Sequence, residues 1–312
     1  MNNPRSRRNR RRPGTARRLR GLLGADGELL DASTPEELDV ALERFRAARI
    51  DVLGVNGGDG TVHLVMTAFA RAFGAEPLPP LLLLRGGSMN TVARAHGIRG
   101  SPERILWDVV TRRRAGLPLR IVERDLLRVE VGGQPPTFGF LFGTGTVVAF
   151  LEAYYAGGRA APAVAASLVL RGMASSLVNG RLARSLARHE RLRVASDGDE
   201  WPEQSYLALL AGSVPQIGFG FRALARCDEQ PGFFHAVGVT GSLLQVALSA
   251  PRIAAGRPWR RRLALDEVAR ELTVEGEGLR FTVDGDLYAS PSVVRVSTGP
   301  PVEVIVPGQT RV

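Results

Sequence analysis

Asn56-Gly57-Gly58-Asp59-Gly60-Thr61 stands between a short apolar run, residues 50–55, and a stretch in which Val62, Val65, Met66 and Phe69 recur at helical spacing. The order is strand, glycine loop, helix. Glycines let a backbone approach a phosphate with no Cβ in the way and tolerate positive φ. The helix N-terminus that follows supplies N–H groups without intrahelical partners and a partial positive charge. The hexapeptide therefore reads as a phosphate cradle that needs no lysine. Asp59 is an unusual neighbour for phosphates unless it handles a nucleotide-bound Mg²⁺ or orients a hydroxyl. The plainer reading is a glycine turn with Asp59 as helix cap.

A second loop of the same kind, Gly86-Gly87-Ser88-Met89-Asn90, follows the apolar run 81–84 and precedes a helix starting at about Thr91. It lies 30 residues after the first, one strand–helix unit later. Both loops are thus expected at the C-terminal edge of one parallel sheet, where α/β proteins bind ligands. Ser88 can hydrogen-bond a phosphate, and Asn90 can bond loop backbone or nucleotide. A helix is predicted over 33–48, with Ser33 or Thr34 as cap, Pro35 in the first turn, and Leu38, Leu42 and Phe45 on one face. Alternation of this kind predicts an α/β domain with a doubly wound parallel sheet.

After Pro118 the pattern changes. Runs at 126–131, 191–195, 206–211, 272–275, 279–283 and 293–297 read as strands, with helical material at about 146–188 and 241–255. The predicted division is therefore 1–118, a nucleotide-binding α/β domain, and 119–312, an antiparallel, β-sandwich-like domain for the substrate. Gly143-Thr144-Gly145-Thr146 looks like a further phosphate loop but is read as cleft lining. The apolar stretch 150–186 reads as a core helix or an acyl-chain pocket. Trp259-Arg260-Arg261-Arg262 reads as an interfacial anchor or an exposed loop.

Composition removes several classes of function. All 41 basic residues are arginine. A Walker-type loop, a eukaryotic-type protein kinase and a Schiff-base enzyme each need a lysine. Nine of the arginines fall in residues 1–20, which contain no acid; the remaining 32 face 31 acids. The body is near neutral and one end is basic, suited to anionic headgroups, to non-specific nucleic-acid contact or to a solvated arm. Cys227 is the single cysteine, and His63, His96, His189 and His235 lie at scattered spacing, so no metal motif is visible. No run approaches the ~18 apolar residues that a membrane span requires.

With both loops in view, the sequence resembles the bacterial diacylglycerol kinase and sphingosine kinase-like superfamily. The resemblance rests on Gly57–Thr61, on Gly87-Ser88-Met89-Asn90 with Ser in place of the usual Thr, on Val283-Asp284-Gly285-Asp286 as a DGE-like motif ending in Asp, and on Asn3-Pro4-Arg5-Ser6 as an NPxS-like turn. It implies an NAD kinase/phosphofructokinase-like first domain, ATP and Mg²⁺ as cofactors, and a lipid substrate at a membrane surface. It also implies a cytoplasmic enzyme peripherally associated with the inner membrane face, and a possible homodimer. Asn56, Gly57, Gly58, Asp59, Gly60, Thr61, Gly86, Gly87, Ser88, Asn90 and Thr34 would surround the nucleotide. Asp286 would be the base that takes the proton of the lipid hydroxyl, with Asp284 the neighbour able to compete for that role. From the residues alone, the plainer reading of that segment is a turn with both acids solvated.

The family places a strand before its NPxS turn, so an upstream strand is expected ahead of Met1, and the final segment is expected to return to the first domain. Some relatives carry a structural Mg²⁺ beside a segment that corresponds to 228–233. Here Pro231 occupies the expected ligand position, with Asp228 or Glu229 as substitutes. Two other functions compete. An NAD kinase-like enzyme would carry an Asn-Glu pair and a Thr-Gly-Ser-Thr-Ala-Tyr run, and neither occurs. A non-catalytic nucleotide or lipid binder is the third.

Overall fold

The structure is a computed structural model that describes residues 1–156, 162–177, 180–187, 189–218 and 220–308. The apolar stretch 150–186 thus falls partly outside the described residues. The chain forms two units: Met1–Arg124 together with the chain from Pro300 onward, and Asp125–Gly299.

Unit 1 contains α1 (Arg7–Arg11), α2 (Gly14–Leu23), α3 (Pro35–Ala47), β1 (Leu53–Val55), α4 (Asp59–Phe73), β2 (Leu81–Leu83), α5 (Thr91–Ala95) and α6 (Pro102–Arg114). β1 and β2 pair in parallel, Leu53 opposite Leu81 and Val55 opposite Leu83. Leu81 also pairs in parallel with Val304 near the end of the last strand. On the other side of β1, Asn2 bridges in parallel to both Asn56 and Asp31. The Asn2 N–H donates to Leu30 O, Asn3 N–H to Asn56 O, Asn56 N–H to Met1 O and Ala32 N–H to Asn2 O. Met1–Asn3 thus fill the strand position beside β1.

The local causes are plain. Thr34 caps α3 by accepting from Glu37 N–H, and the Glu37 carboxylate accepts from Ser33 N–H. That helix buries Leu38, Ala41, Leu42 and Phe45. α4 buries Val62, Val65, Met66 and Phe69, at about 2 kcal/mol for each large side chain. It ends at Gly74, whose φ of 58° is left-handed. The arginine-rich start is helical rather than a solvated arm. α2 packs on α6 and buries Thr15 and Leu19. Arg18 pairs with Glu103, and Arg20 with Asp31.

Unit 2 begins within β3 (Ile121–Val131), followed by β4 (Thr137–Gly139), β5 (Leu141–Thr144), α7 (Thr146–Ala156), α8 (Pro162–Leu177), α9 (Arg181–Leu186), β6 (Glu190–Ser196), β7 (Asp199–Glu200), β8 (Gln204–Tyr206) and β9 (Ala208–Gly212). β10 (Phe234–Val239), α10 (Leu243–Leu248), α11 (Ala250–Ala254), β11 (Ala264–Ala269), β12 (Glu271–Glu275), β13 (Leu279–Val283), β14 (Asp286–Ser290) and the start of β15 (Val293–Ile305) complete it. One antiparallel sheet runs β11-β10-β9-β5-β13-β14. A second group joins β6, β12, β15 and β3. Their inner faces share one core, with Phe142, Leu209, Phe234 and Phe281 from the first meeting Leu127, Val194, Leu272 and Val296 from the second. This is the antiparallel sandwich that the alternating runs predict. Gly143-Thr144-Gly145-Thr146 is no phosphate loop: Thr144 is buried in β5, where its Oγ1 accepts from Leu209 N–H.

A buried amide network laces unit 1 together. Asn9 Nδ2 donates to Asn3 O at 2.8 Å and to Asn56 O at 3.0 Å. Asn56 Nδ2 donates to Asn2 Oδ1 at 2.7 Å and Asn9 Oδ1 at 3.2 Å. All three asparagines are nearly inaccessible. Gly86 leaves no room beside them: a Cβ there would lie 2.7 Å from Asn56 Oδ1. Asn9→Ala removes one of the two hydrogen bonds that each of Asn3 O, Asn56 O and Asn56 Nδ2 makes. The expected loss is about 2–4 kcal/mol, read as a lower urea midpoint of the far-UV signal of unit 1.

Candidate active site

The two glycine loops meet at the C-terminal ends of β1 and β2. Gly58 and Gly87 pack backbone to backbone: a Cβ built on Gly87 would lie 2.2 Å from Gly58 Cα, and one on Gly58 would lie 3.1 Å from Gly87 Cα. Gly57 is held as closely, because a Cβ there would meet the Thr61 side chain at 2.3 Å. In the first turn of α4 the N–H groups of Gly60 and Thr61 lie ahead of the first intrahelical bond, Val62 N–H to Gly58 O. These are the donors a phosphate would use.

Asn90 closes the second loop. It adopts a left-handed φ of 49°, its Oδ1 accepts from Gly87 N–H, and its Nδ2 donates to Gly87 O, both at 3.1 Å. Ser88 lies part-exposed between them. The NPxS-like turn is tied to the same place. Asn3 Nδ2 donates to Thr61 Oγ1 at 2.9 Å, the Ser6 hydroxyl lies 3.3 Å from it, and Arg8 N–H donates to Gly86 O. Unit 1 therefore brings together Asn56, Gly57–Thr61 and Gly86–Asn90. Thr34 stands apart in role, since its hydroxyl is spent on capping α3.

Asp59 does something the sequence did not disclose. Its Oδ1 accepts from Val92 N–H at 3.2 Å, and the N–H groups of Thr91 and Asn90 also face the carboxylate. The acid of the first loop caps the helix after the second. Its Oδ1 is thus engaged by the start of α5, a role beyond the Mg²⁺ or hydroxyl handling that the sequence suggests. Burial pushes its pKa up to about 6, against the opposing pull of those N–H groups. His63, the next titratable side chain on α4, is fully buried.

Arginine supplies the charge beside the loops. Arg85, in a left-handed φ of 58°, directly precedes Gly86 and donates to Gly100 O. Burial lowers its pKa, and the neighbouring Arg94, Arg8 and Arg99 lower it further. Among the described residues none of these four arginines has a carboxylate in ion-pair reach, and Arg8 Nε and Arg85 Nε are buried without a hydrogen-bond partner. The sequence offered one signal for them, the absence of lysine. A triphosphate fits here: the Gly58–Gly87 contact keeps side chains out of the cradle, and the guanidinium groups offer positive charge. No group of three or more His, Cys, Asp or Glu side chains suited to a metal ion occurs among the described residues. In the segment 228–233, Glu229 is taken by Arg226, and Gly232 N–H donates to Asp125.

In unit 2 the two aspartates of the DGE-like motif separate in role. β13 and β14 form a hairpin with Val283 opposite Asp286. The two-residue turn is Asp284-Gly285, with φ of 50° and 99°, the left-handed pair that Asp-Gly turns supply. Asp284 is buried, and its carboxylate accepts from Phe140 N–H and Leu141 N–H at 2.9–3.1 Å. It pins the bend between β4 and β5 and is not solvated. Asp286 is half-buried and makes no such bond; burial raises its pKa. Tyr155 of α7 donates its hydroxyl to Gly285 O at 2.9 Å, and Glu152 pairs with Arg280. The hairpin that carries Asp286 is thus held from α7, which the sequence did not announce.

Residues 1–117 match the model of the diacylglycerol kinase catalytic domain. This segment belongs to the diacylglycerol kinase catalytic domain family. A diacylglycerol kinase from Bacillus anthracis str. Sterne shares the fold at a TM-score of 0.61 and 15% identity, over 91% of this chain and 85% of its own. A second protein of that strain, described as a proposed diacylglycerol kinase, aligns at 0.69 and 17%, over 99% and 96%. An NAD kinase from Archaeoglobus fulgidus in complex with ATP aligns at 0.51 and 14%, over 95% and 91%. At these identities the likeness shows the fold, α/β with a parallel sheet followed by an antiparallel domain. No curated protein matches the chain by sequence.

Asp59 yields a test. Its folded pKa lies above the ordinary 3.8, so its contribution to stability is full below 3.8 and is lost as pH rises through about 6. Asp59→Asn should flatten the pH dependence of unfolding in that window, measured by urea denaturation at a series of pH values. An unaltered profile would show that the carboxyl titrates normally.

Proposed function

We propose that this protein is an ATP-dependent lipid kinase that transfers the γ-phosphoryl group to a lipid hydroxyl of the diacylglycerol or sphingoid kind. The observation that carries the reading is the contact of two lysine-free glycine loops, Gly57–Thr61 and Gly87–Asn90, beside unpaired arginines on a diacylglycerol kinase catalytic domain. Phosphoryl transfer asks mainly for positioning, charge neutralisation and a base near the nucleophile. The N–H groups at the start of α4 and in the second loop hold phosphate oxygens, and the arginines offset their charge. Nucleotide-bound Mg²⁺ would supply further charge neutralisation.

Asp286 is the base in this reading, and Asp284 is not. Asp284 has its lone pairs committed to main-chain N–H groups. Asp286 has none committed, and a pKa raised by burial makes its carboxylate a stronger proton acceptor than an exposed aspartate. Tyr155 and the Glu152–Arg280 pair keep the hairpin in place.

Purified protein with labelled ATP and Mg²⁺, offered a mixed lipid extract or NAD, tests the function. Label in the organic phase supports the lipid kinase. Label on NAD supports an NAD kinase-like enzyme instead, and ATP binding without transfer supports a non-catalytic binder. A pair of variants tests the base. Asp286→Asn should abolish transfer while leaving ATP affinity and thermal stability near those of the parent. Asp284→Asn should lower the melting temperature, because one buried N–H acceptor becomes a donor. Equal activity of Asp286→Asn and parent would remove Asp286 from the mechanism. Transfer by the parent should also fall with decreasing pH through a single carboxyl whose pKa lies above the ordinary aspartate value.

A further inference from the structure

Between Glu229 and Asp266 the chain contains no acidic residue and five arginines, Arg252, Arg257, Arg260, Arg261 and Arg262. The structure gathers them on the α10–α11 segment of unit 2 and the loop that follows. Arg222 joins them, its Nε 3.1 Å from where a Cβ on Gly256 would stand. Among the described residues none of these six is within ion-pair distance of a carboxylate. Arg222, Arg257, Arg260, Arg261 and Arg262 are exposed. The next acid in the sequence is Asp266, which accepts from Trp259 N–H, pairs with Arg226 and bonds His235.

A second feature points to the partner. α10, Leu-Leu-Gln-Val-Ala-Leu, is apolar at five of six positions yet has no buried residue. Leu243 and Val246 lean on the core beneath and α8 packs beside the helix, while Leu248 is 69% exposed, the highest value among the large hydrophobic side chains of the described residues. Trp259, read from the sequence as part of an interfacial anchor or of an exposed loop, is half-buried. Its Nε1 donates to Ala223 O at 2.8 Å and its ring packs on the core, so it roots the loop and leaves Arg260–Arg262 outside. An apolar ridge beside uncompensated guanidinium groups matches a surface that is apolar below and anionic above. Arginine binds phosphodiester oxygens bidentately, and basic residues near an anionic bilayer each contribute about 1 kcal/mol.

We infer that the surface formed by α10, α11 and Arg257–Arg262 docks on the headgroup layer of an anionic phospholipid bilayer, with Leu248 entering the interface. This is a property of unit 2 alone and does not depend on the kinase reading.

The full chain, without nucleotide, is to be sedimented with vesicles of phosphatidylcholine and with vesicles containing added phosphatidylglycerol. Three proteins are compared with the parent: Arg260→Glu/Arg261→Glu/Arg262→Glu, Leu248→Ser, and a control, Arg10→Glu/Arg11→Glu/Arg12→Glu, in the basic N-terminal segment. The parent should bind the anionic vesicles, more weakly as salt rises, and not the neutral ones. The 260–262 variant should bind on the order of a hundredfold more weakly, Leu248→Ser about tenfold, and the control nearly as the parent. Far-UV spectra and melting curves matching the parent keep a weak result from being a folding defect. Parental binding by the 260–262 variant would overturn the inference. So would loss confined to the N-terminal control, equal binding to neutral vesicles, or binding of duplex DNA or RNA in place of vesicles. Transfer to detergent-dispersed lipid is a separate readout, so failure of the docking surface and failure of the kinase reading are distinguishable.

Discussion

Gly58 and Gly87 touch where two loops would otherwise hold side chains, and no residue larger than glycine fits at either place without moving the other loop. The contact is locked from both sides. Asp59, next to Gly58, accepts the N–H groups that open α5, and Asn90, three residues after Gly87, bonds both main-chain groups of that glycine. Below, the Asn2–Asn9–Asn56 amides join the first turn of the chain to the first loop, and Arg8 N–H joins it to Gly86 of the second. In the proposed reading, a cradle cross-linked this way would lose less entropy when a ligand binds. It also places main-chain donors, not flexible lysines, where anionic oxygens would lie.

Electrostatics follow from the same constraint. Backbone donors carry only partial charge, so a triphosphate site without lysine needs compensation from elsewhere. In the proposed reading Arg8, Arg85, Arg94 and Arg99 would supply it; burial, and after it the repulsion of the other three, lowers the Arg85 pKa. The one acid in the loops, Asp59, has its carboxylate directed at helix N–H groups rather than at the place where phosphates would lie. Unit 2 separates structure and chemistry in a similar way. Asp284 spends its carboxylate on Phe140 and Leu141 to shape the hairpin, and this leaves Asp286 on a fixed frame with an uncommitted one.

Much of this was legible in the residues. Glycine patterns between an apolar run and a helical stripe placed both loops and the parallel sheet, because backbone geometry allows few residues there. The Asp-Gly turn and the strands around it were readable for the same reason. What escaped was set by partners distant in sequence. The basic N-terminal segment read as a solvated arm because its charge is visible and its packing is not. Leu19 and Thr15 bury against α6, some 85 residues away at the Arg18–Glu103 pair. Asp59 read as a metal or hydroxyl handler or as a cap of the helix beside it, and its bond to a helix that begins 32 residues later was not readable. Trp259 beside three arginines read as part of an interfacial anchor or of an exposed loop, whereas a carbonyl 36 residues earlier fixes it against the core.

The most direct test is a crystal structure of the protein with a non-hydrolysable ATP analogue and Mg²⁺. The account predicts phosphate oxygens within hydrogen-bond distance of main-chain N–H groups from both loops, with Asp59 still bonded to the start of α5. A triphosphate seated away from Gly58 and Gly87, or held by only one of the loops, would contradict it.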